Sequence, residues 1–245
     1  MDGYCTLKEA RKGLPRWDGP LRHPIYSKGV KRVLDLAMAL VVLVPCGLVM
    51  LPIAAAVKLT SKGPVFYTAL RGGYHNRPFN ILKFRTMVVG ADRYSSTTAF
   101  NDPRVTPLGR LLRRSKMDEL PQLFNILKGD MSFIGPRPEL LRYTMRYTAE
   151  QRCILWVRPG ISDPSSLKLI SLDEVVGHDD PEGTYERRIL GEKNRMRVAY
   201  AKNQSIGQDA RLFVQTLACV LKKNLKPGAA VEAKAPEATQ QGVCK

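Results

Sequence analysis

Between Leu36 and Val57 the chain runs for 22 residues without a charge, LAMALVVLVPCGLVMLPIAAAV. That is enough for a helix to cross the hydrocarbon core of a bilayer. Pro45 lies near the middle of the run, Gly47 follows closely, and Pro52 comes a further turn on. A proline inside a helix removes one backbone donor and pushes against the carbonyl four residues earlier, so the run is expected to kink or break at about mid-depth. Both a straight span and a broken helix that enters and leaves on one face fit this pattern. The flanking charges favour the second topology. Residues 1–34 carry eight Lys/Arg against three acids, and Lys58, Lys62 and a basic remainder follow the run, so both ends are drawn to the cytoplasmic side. A secretory signal peptide fits poorly, because the run starts late and is too long.

After the run the apolar pattern shortens. Two strands are expected, from about Val65 to Leu70 and from Phe79 to Phe84, joined by a turn rich in Gly, Asn and Pro. Residues 88–105 are small and polar and read as a mobile surface loop. Thr106-Pro107 then reads as an N-cap followed by proline at the first helical position. In that helix Leu108, Leu111 and Leu112 fall on one side and Arg110, Arg113 and Arg114 on the other. This suits either a membrane surface or a core-facing stripe with a solvated basic face. In DELPQLFNILKGD, Leu120, Leu123, Phe124 and Leu127 share a face and Lys128-Gly129 is a helix stop, while Asp118, Gln122 and Asn125 lie together on the opposite side.

Further on, MSFI reads as a short strand, GPRP as a rigid loop, PELLRYTMRYTAEQRCIL as one helix opened by Pro138, and VRPGIS as a turn. Helices at about Thr184–Lys202 and Gln208–Asn224 follow. Residues 226–245 have almost no large apolar side chains and are expected to be disordered. The fold class expected is α+β and predominantly helical, with an N-terminal re-entrant membrane helix, a small β-hairpin and amphipathic interfacial helices.

The net charge of +17 asks for an anionic partner. No nucleic-acid-binding motif accompanies it, so nucleic acid is not expected. The five cysteines are scattered and never spaced C-x-x-C, which suggests neither zinc nor a disulfide framework and fits a reducing compartment. His23, His75 and His178 read as ordinary surface or loop histidines.

Against this basic background, Asp118 and Glu119 stand side by side between Arg113/Arg114 and Arg137. Acids in the first turn of a helix complement its dipole, and Ser115-x-x-Asp118 resembles a capping box, so a purely structural role is available. The surroundings suggest chemistry as well. Arg137 is held between Pro136 and Pro138, and a stiffly mounted guanidinium suits phosphate. An Asp beside it can hold a divalent cation or attack phosphorus itself.

The segments KRVLDLAMALVVLV, GPVFY, LKFRTM, TPLGRLLRRSKMDELPQLFNILKGDMSFIGPRPE and VRPGIS, in order from about Lys31 to Lys222, resemble the bacterial sugar transferase family, the monotopic polyprenyl-phosphate hexose-1-phosphate transferases. The resemblance implies transfer of a sugar-1-phosphate from a UDP-sugar to undecaprenyl phosphate with release of UMP. It also implies Mg²⁺, held in part by Asp118, and a covalent sugar-phosphoryl aspartate. Asp118 matches the family nucleophile and Glu119 its dyad partner; Arg113 and Arg137 match the family arginines. Lys83 and Arg85 are candidates for phosphate or active-site contacts, and Gln122 and Asn125 for support. Residues 1–30 would then be a basic segment, 31–60 a re-entrant helix, 61–225 a cytoplasmic catalytic domain at the bacterial inner membrane, and 226–245 a tail. Membrane lipids and downstream glycosyltransferases are the further partners implied. The chain departs from the family pattern where many relatives read Ser-Pro (here Gly47-Leu48), a Gln before the hairpin arginine (here Ala69), and TGWAQVNGR (here SDPSSLKLI). The competing reading is a basic, membrane-anchored scaffold in which Asp118-Glu119 only caps a helix.

Overall fold

The computed structural model describes residue 19 and residues 22–91, 102–168 and 181–225. The apolar run forms helix α1 (Lys31–Thr60), entered through a wide turn at Tyr26–Val30. Among the described residues it is the one helix long and apolar enough to cross a membrane. It continues through Pro45 and Pro52, so of the expected kink or break the break is absent. A proline forfeits one bond of the ladder, and the turns on either side carry the helix across it.

Helix α1 packs on the rest of the protein through both of its halves. Ala39, Val42 and Cys46 meet Phe79, Ile81, Leu123, Ile126 and Met131. Met50, Ile53, Ala54 and Val57 meet Phe84, Leu112 and Leu108. Val33, Leu40, Val41, Val44, Leu48 and Leu51 stay exposed on its other side. Its first turns are held by polar contacts. Lys31 pairs with Asp209, both buried. Arg32 donates to the carbonyls of Ile126 (2.5 Å) and Leu127 (2.9 Å), and Asp35 accepts from Ser132 Oγ (3.0 Å) and Phe133 N (3.2 Å).

Strands β1 (Phe66–Arg71) and β2 (Phe79–Phe84) form the expected antiparallel hairpin, with Phe66 opposite Phe84 and Arg71 opposite Phe79. The following loop is pinned at both ends rather than loose. Met87 pairs with Val105, Val88 N donates to Arg104 O (3.0 Å), and Arg104 pairs with the buried Asp102 (2.6 Å). The middle of that loop, residues 92–101, lies outside the described residues, as do most of the N-terminal basic segment and the 226–245 tail.

Helix α2 (Pro107–Ser115) begins as expected, with Thr106 Oγ1 accepting from Gly109 N at 2.9 Å. Leu112 is buried and Leu108 packs beside it, but Leu111 is 62 % exposed, so the leucine stripe serves the core and the surface at once. The chain reverses at Lys116, which adopts a left-handed conformation (φ 62°), and passes through a tight turn at Met117–Glu119 into α3 (Gln122–Lys128). The expected capping box is absent: Ser115 Oγ turns back to the carbonyls of Leu111 and Leu112.

Strands β3 (Ser132–Ile134) and β4 (Gly160–Ser162) pair in parallel. The VRPGIS turn thus contains a strand, too short for sequence periodicity to reveal. A Cβ on Gly160 would lie 2.1 Å from Gly135 N, so only glycine lets these two backbones touch. The single helix expected between Pro138 and Leu155 is instead a short α4 (Leu141–Thr144) and a separate turn at Gln151–Trp156. Thr148 explains the break. Its N–H donates to Gln151 Oε1 while its Oγ1 accepts from Gln151 N, a reciprocal cap that starts a new turn. Short helix α5 (Pro164–Lys168) follows β4. Helix α6 (Pro181–Thr184) leads through a wide turn at Tyr185–Leu190 into α7 (Gly191–Asn203), and α8 (Ile206–Leu225) closes the described chain. Among the described residues the fold is mostly helical with two small two-stranded sheets.

Gly109 sits where α2 crosses the hairpin exit, and an added Cβ would lie 2.1 Å from the Thr86 carbonyl oxygen. Gly109→Ala is expected to cost about 1–3 kcal/mol by overpacking. Gly47→Ala, with nothing within 4 Å of its added Cβ, should leave stability unchanged or slightly raised. Thermal unfolding of the two variants in detergent checks the contrast.

Candidate active site

Strand alternation puts Lys83 on the same face of β2 as Phe79 and Ile81, the face that packs against α3. A lysine there points toward the turn that carries Asp118 and Glu119. Its Nζ reaches Glu119 Oε1 at 2.9 Å. From the other side Arg137, fixed between two prolines, donates Nη1 to Glu119 Oε2 (3.2 Å) and pairs through Nη2 with Oε1. Arg137 is itself held by the Ile161 carbonyl, through Nη1 (2.9 Å), and by Asp163 Oδ2, through its backbone N–H (3.1 Å).

The two neighbouring acids therefore sit in different electrostatic environments. Both are buried. Burial works against ionisation of Glu119, yet Arg137 and Lys83 overcome it and hold this carboxyl well below its usual range. For Asp118 burial prevails, aided by the Glu119 charge, and pushes its carboxyl up against the opposing pull of Lys83, Lys116 and Arg113. Asp118 Oδ1 is buried without a hydrogen-bond partner. One carboxylate is fully engaged by the protein, and its neighbour keeps an oxygen free.

The remaining candidates divide. Arg113 is half-buried, donates Nε to Thr86 Oγ1 (2.8 Å), and its charge reaches Asp118. Arg85 is directed away from the dyad: its guanidinium binds the carbonyls of Ser61 (2.8 Å) and Lys62 (2.9 Å) just past the end of α1. Asn125 lies on the expected face, but its amide is spent on the β2 backbone, accepting from Leu82 N (2.9 Å) and donating to Asn80 O (2.8 Å). It splices the free edge of the hairpin to α3. Gln122 is 1 % exposed and its Nε2 lacks a partner.

The donor set at Asp118 fits a magnesium ion, which uses one or two protein carboxylates and completes its shell with water and substrate phosphates. Glu119 is not available in the same way, because both of its oxygens are paired with cations.

Behind Arg137 lies a second charged cluster that sequence reasoning missed. Arg197, fully buried on α7, donates Nε to Asp163 Oδ2 (3.1 Å) and Nη1 to Glu139 Oε1 (2.9 Å). Glu139 also accepts from Tyr185 OH, and Lys193 Nζ donates to that hydroxyl (3.2 Å). Burial lowers Lys193 to about 8 against the opposing pull of Glu139. The signal in the sequence was a pair of cations, Lys193 and Arg197, one helical turn apart on a helix with no clear apolar stripe.

Residues 26–223 match the family model described as bacterial sugar transferase. The chain is 40 % identical over 199 residues to the undecaprenyl-phosphate glucose phosphotransferase of Komagataeibacter xylinus, covering 76 % of this chain and 35 % of the relative. It is 41 % identical over 205 residues to the UDP-N-acetylgalactosamine-undecaprenyl-phosphate N-acetylgalactosaminephosphotransferase of Aeromonas hydrophila (82 % and 45 %). It is 33 % identical over 195 residues to the UDP-glucose:undecaprenyl-phosphate glucose-1-phosphate transferase of Caulobacter vibrioides (78 % and 69 %). The chain thus spans about a third to a half of the length of the first two relatives. With the family model matched across the dyad, the PRP loop and all of α1, the chain belongs to the bacterial sugar transferase family.

Proposed function

We propose that this chain moves a sugar-1-phosphate from a UDP-sugar to undecaprenyl phosphate, releasing UMP, and so begins a surface glycan or glycoconjugate. The observation that carries the reading is the division of labour in the dyad: Glu119 is locked between Lys83 and Arg137, while Asp118 keeps a buried oxygen without a partner. A carboxylate used only to cap a helix would have found a backbone N–H there, and neither the Met117–Glu119 turn nor α3 has a side-chain cap.

In the first step an Asp118 oxygen attacks the phosphorus that bears the sugar. The bond from that phosphorus to the bridging oxygen breaks, and UMP leaves with that oxygen and its electron pair. In the second step a phosphate oxygen of undecaprenyl phosphate attacks the same phosphorus, which breaks the Asp118–phosphorus bond and restores the carboxylate. Mg²⁺ bound at Asp118 would supply charge neutralisation and Lewis acidity toward the substrate's diphosphate. The chain's own cations do the rest. Arg137 and Lys83 keep Glu119 ionised and in place, and the half-buried Arg113 adds positive charge on the Asp118 side. The raised affinity of Asp118 for a proton disfavours its charged form before substrate arrives. Bringing positive charge up to it would favour ionisation as substrate arrives.

The packing of α1 supports a re-entrant placement. Its first turn pairs with Asp209 and caps α3, and its last turns bury Val57 beside Phe84 and Leu112, so both ends stay with one globular body. That body would then rest on the cytoplasmic face of the inner membrane, within reach of lipid and of downstream glycosyltransferases.

Three measurements test this reading. Nanodisc-embedded protein with Mg²⁺, undecaprenyl phosphate and a panel of UDP-sugars is expected to release UMP in a lipid-dependent way. Asp118→Asn should lower that rate by at least about 10³-fold, while retained turnover would exclude the covalent route. In Lys83→Met the largest charge holding the Asp118 carboxyl down is gone, so the acidic limb of the pH–kcat profile should move to higher pH. An unmoved limb would show that Asp118 ionisation does not control the rate. Finally, cysteines introduced at Ile25 and Val89, both exposed, should label only from the cytoplasmic side; an external Ile25 site would mean that α1 spans.

A further inference from the structure

The PRP loop does not hold itself in place. Gly135 N bonds to Ser162 O (3.0 Å) and Gly160 N to Pro136 O (3.1 Å), which ties its first half to β4. The half that carries the guanidinium rests on the cluster behind it. Asp163 is fully buried, and one of its oxygens accepts from both Arg137 N (3.1 Å) and Arg197 Nε (3.1 Å). Its other oxygen is fixed by Ser165 Oγ (2.9 Å) and Ser166 N (2.6 Å) at the start of α5. Arg197 then reaches past Asp163 to Glu139, two residues beyond Arg137. A single buried guanidinium thus holds the loop directly at Glu139 and, through Asp163, at the Arg137 backbone.

From this geometry we propose that Asp163 and Arg197 are positioning residues for sugar-phosphate transfer, acting through Arg137. This rests on the transferase reading above. The physical argument is one of stiffness. Arg137 can hold the Glu119 carboxylate at a fixed place beside Asp118 only if its own backbone cannot shift, and a displacement of about 1 Å at such a site costs on the order of 10²-fold in rate. Two prolines restrict φ at 136 and 138 but leave the loop free to move as a body. The Asp163–Arg197–Glu139 bracket removes that freedom, and it is protected from water by burial, where ion pairs are screened least. Asp163 is supplied by the segment SDPSS at the end of β4.

The test uses the full chain in nanodiscs with the UDP-sugar that the wild type turns over. Asp163→Asn is expected to lower kcat about 10–100-fold, as loss of an outer-shell partner does, with KM for the UDP-sugar changed less than about threefold. Arg197→Lys, which keeps the charge but cannot bridge both carboxylates, should lose less. In an Arg137→Lys background, Asp163→Asn should add almost nothing, because its effect runs through Arg137. Losses that multiply in the double variant, or a lowered Tm with kcat kept, would overturn the proposal. Amide hydrogen exchange of the peptide spanning residues 133–141 is read in parallel and needs no turnover. It should quicken in Asp163→Asn and, to a smaller extent, in Arg197→Lys, and an unchanged rate would overturn the proposed bracket. If the wild type proves inactive, the transferase reading fails while the exchange result still decides whether Asp163 and Arg197 hold the loop.

Discussion

Two carboxylates on adjacent residues, both buried, repel each other at short range and both lose their hydration, and the rest of the site exists to make that arrangement tolerable. The two cations that form ion pairs here both pair with one of them. Glu119 takes Lys83 and Arg137 together, while Asp118 is left with more distant cations and a bare oxygen. Had the cations been shared evenly, both carboxyls would have been held down alike and no oxygen would be left without a partner. The asymmetry follows from where the backbone delivers the cations: β2 alternation brings Lys83 to one side of Glu119, and the proline-flanked loop brings Arg137 to the other.

Much of this was legible in the chain, and for identifiable reasons. The apolar run, the hairpin and the Thr106-Pro107 start of α2 are local signals with strong periodicity or capping chemistry, and each appears where the pattern placed it. The acid pair and the stiff arginine were readable because their neighbours are unusual. Features governed by distant contacts were not. Arg85 stands in a basic stretch that suggests phosphate, but the end of α1 lands beside it and takes its guanidinium. Asn125 was placed on the right face of its helix, yet its partner is strand backbone 45 residues earlier. Asp163 and Arg197, 34 residues apart, meet only once β4 and α7 have packed. The reciprocal Thr148–Gln151 cap is a local T-x-x-Q signal that divides a stretch otherwise read as one helix.

The charges before the apolar run show the same lesson from the other direction. Lys31 and Arg32 counted toward the basic flank that sets topology. In the folded protein Lys31 is buried against Asp209, with Tyr26 and Tyr200 bonded to the same carboxylate. Arg32 is spent on the last carbonyls of α3, where helix ends leave acceptors unsatisfied. Their part in orienting the chain at insertion would be followed by a second part in packing.

Arg32 closes the helix that follows the dyad, and Asp35 holds the strand that leads into the PRP loop, so the first turn and a half of α1 is a structural component of the candidate site. An apolar helix grafted in place of α1 would restore hydrophobicity without restoring this joint. Replacement of α1 is therefore constrained by the three polar side chains at its start, Lys31, Arg32 and Asp35, as well as by its apolar length.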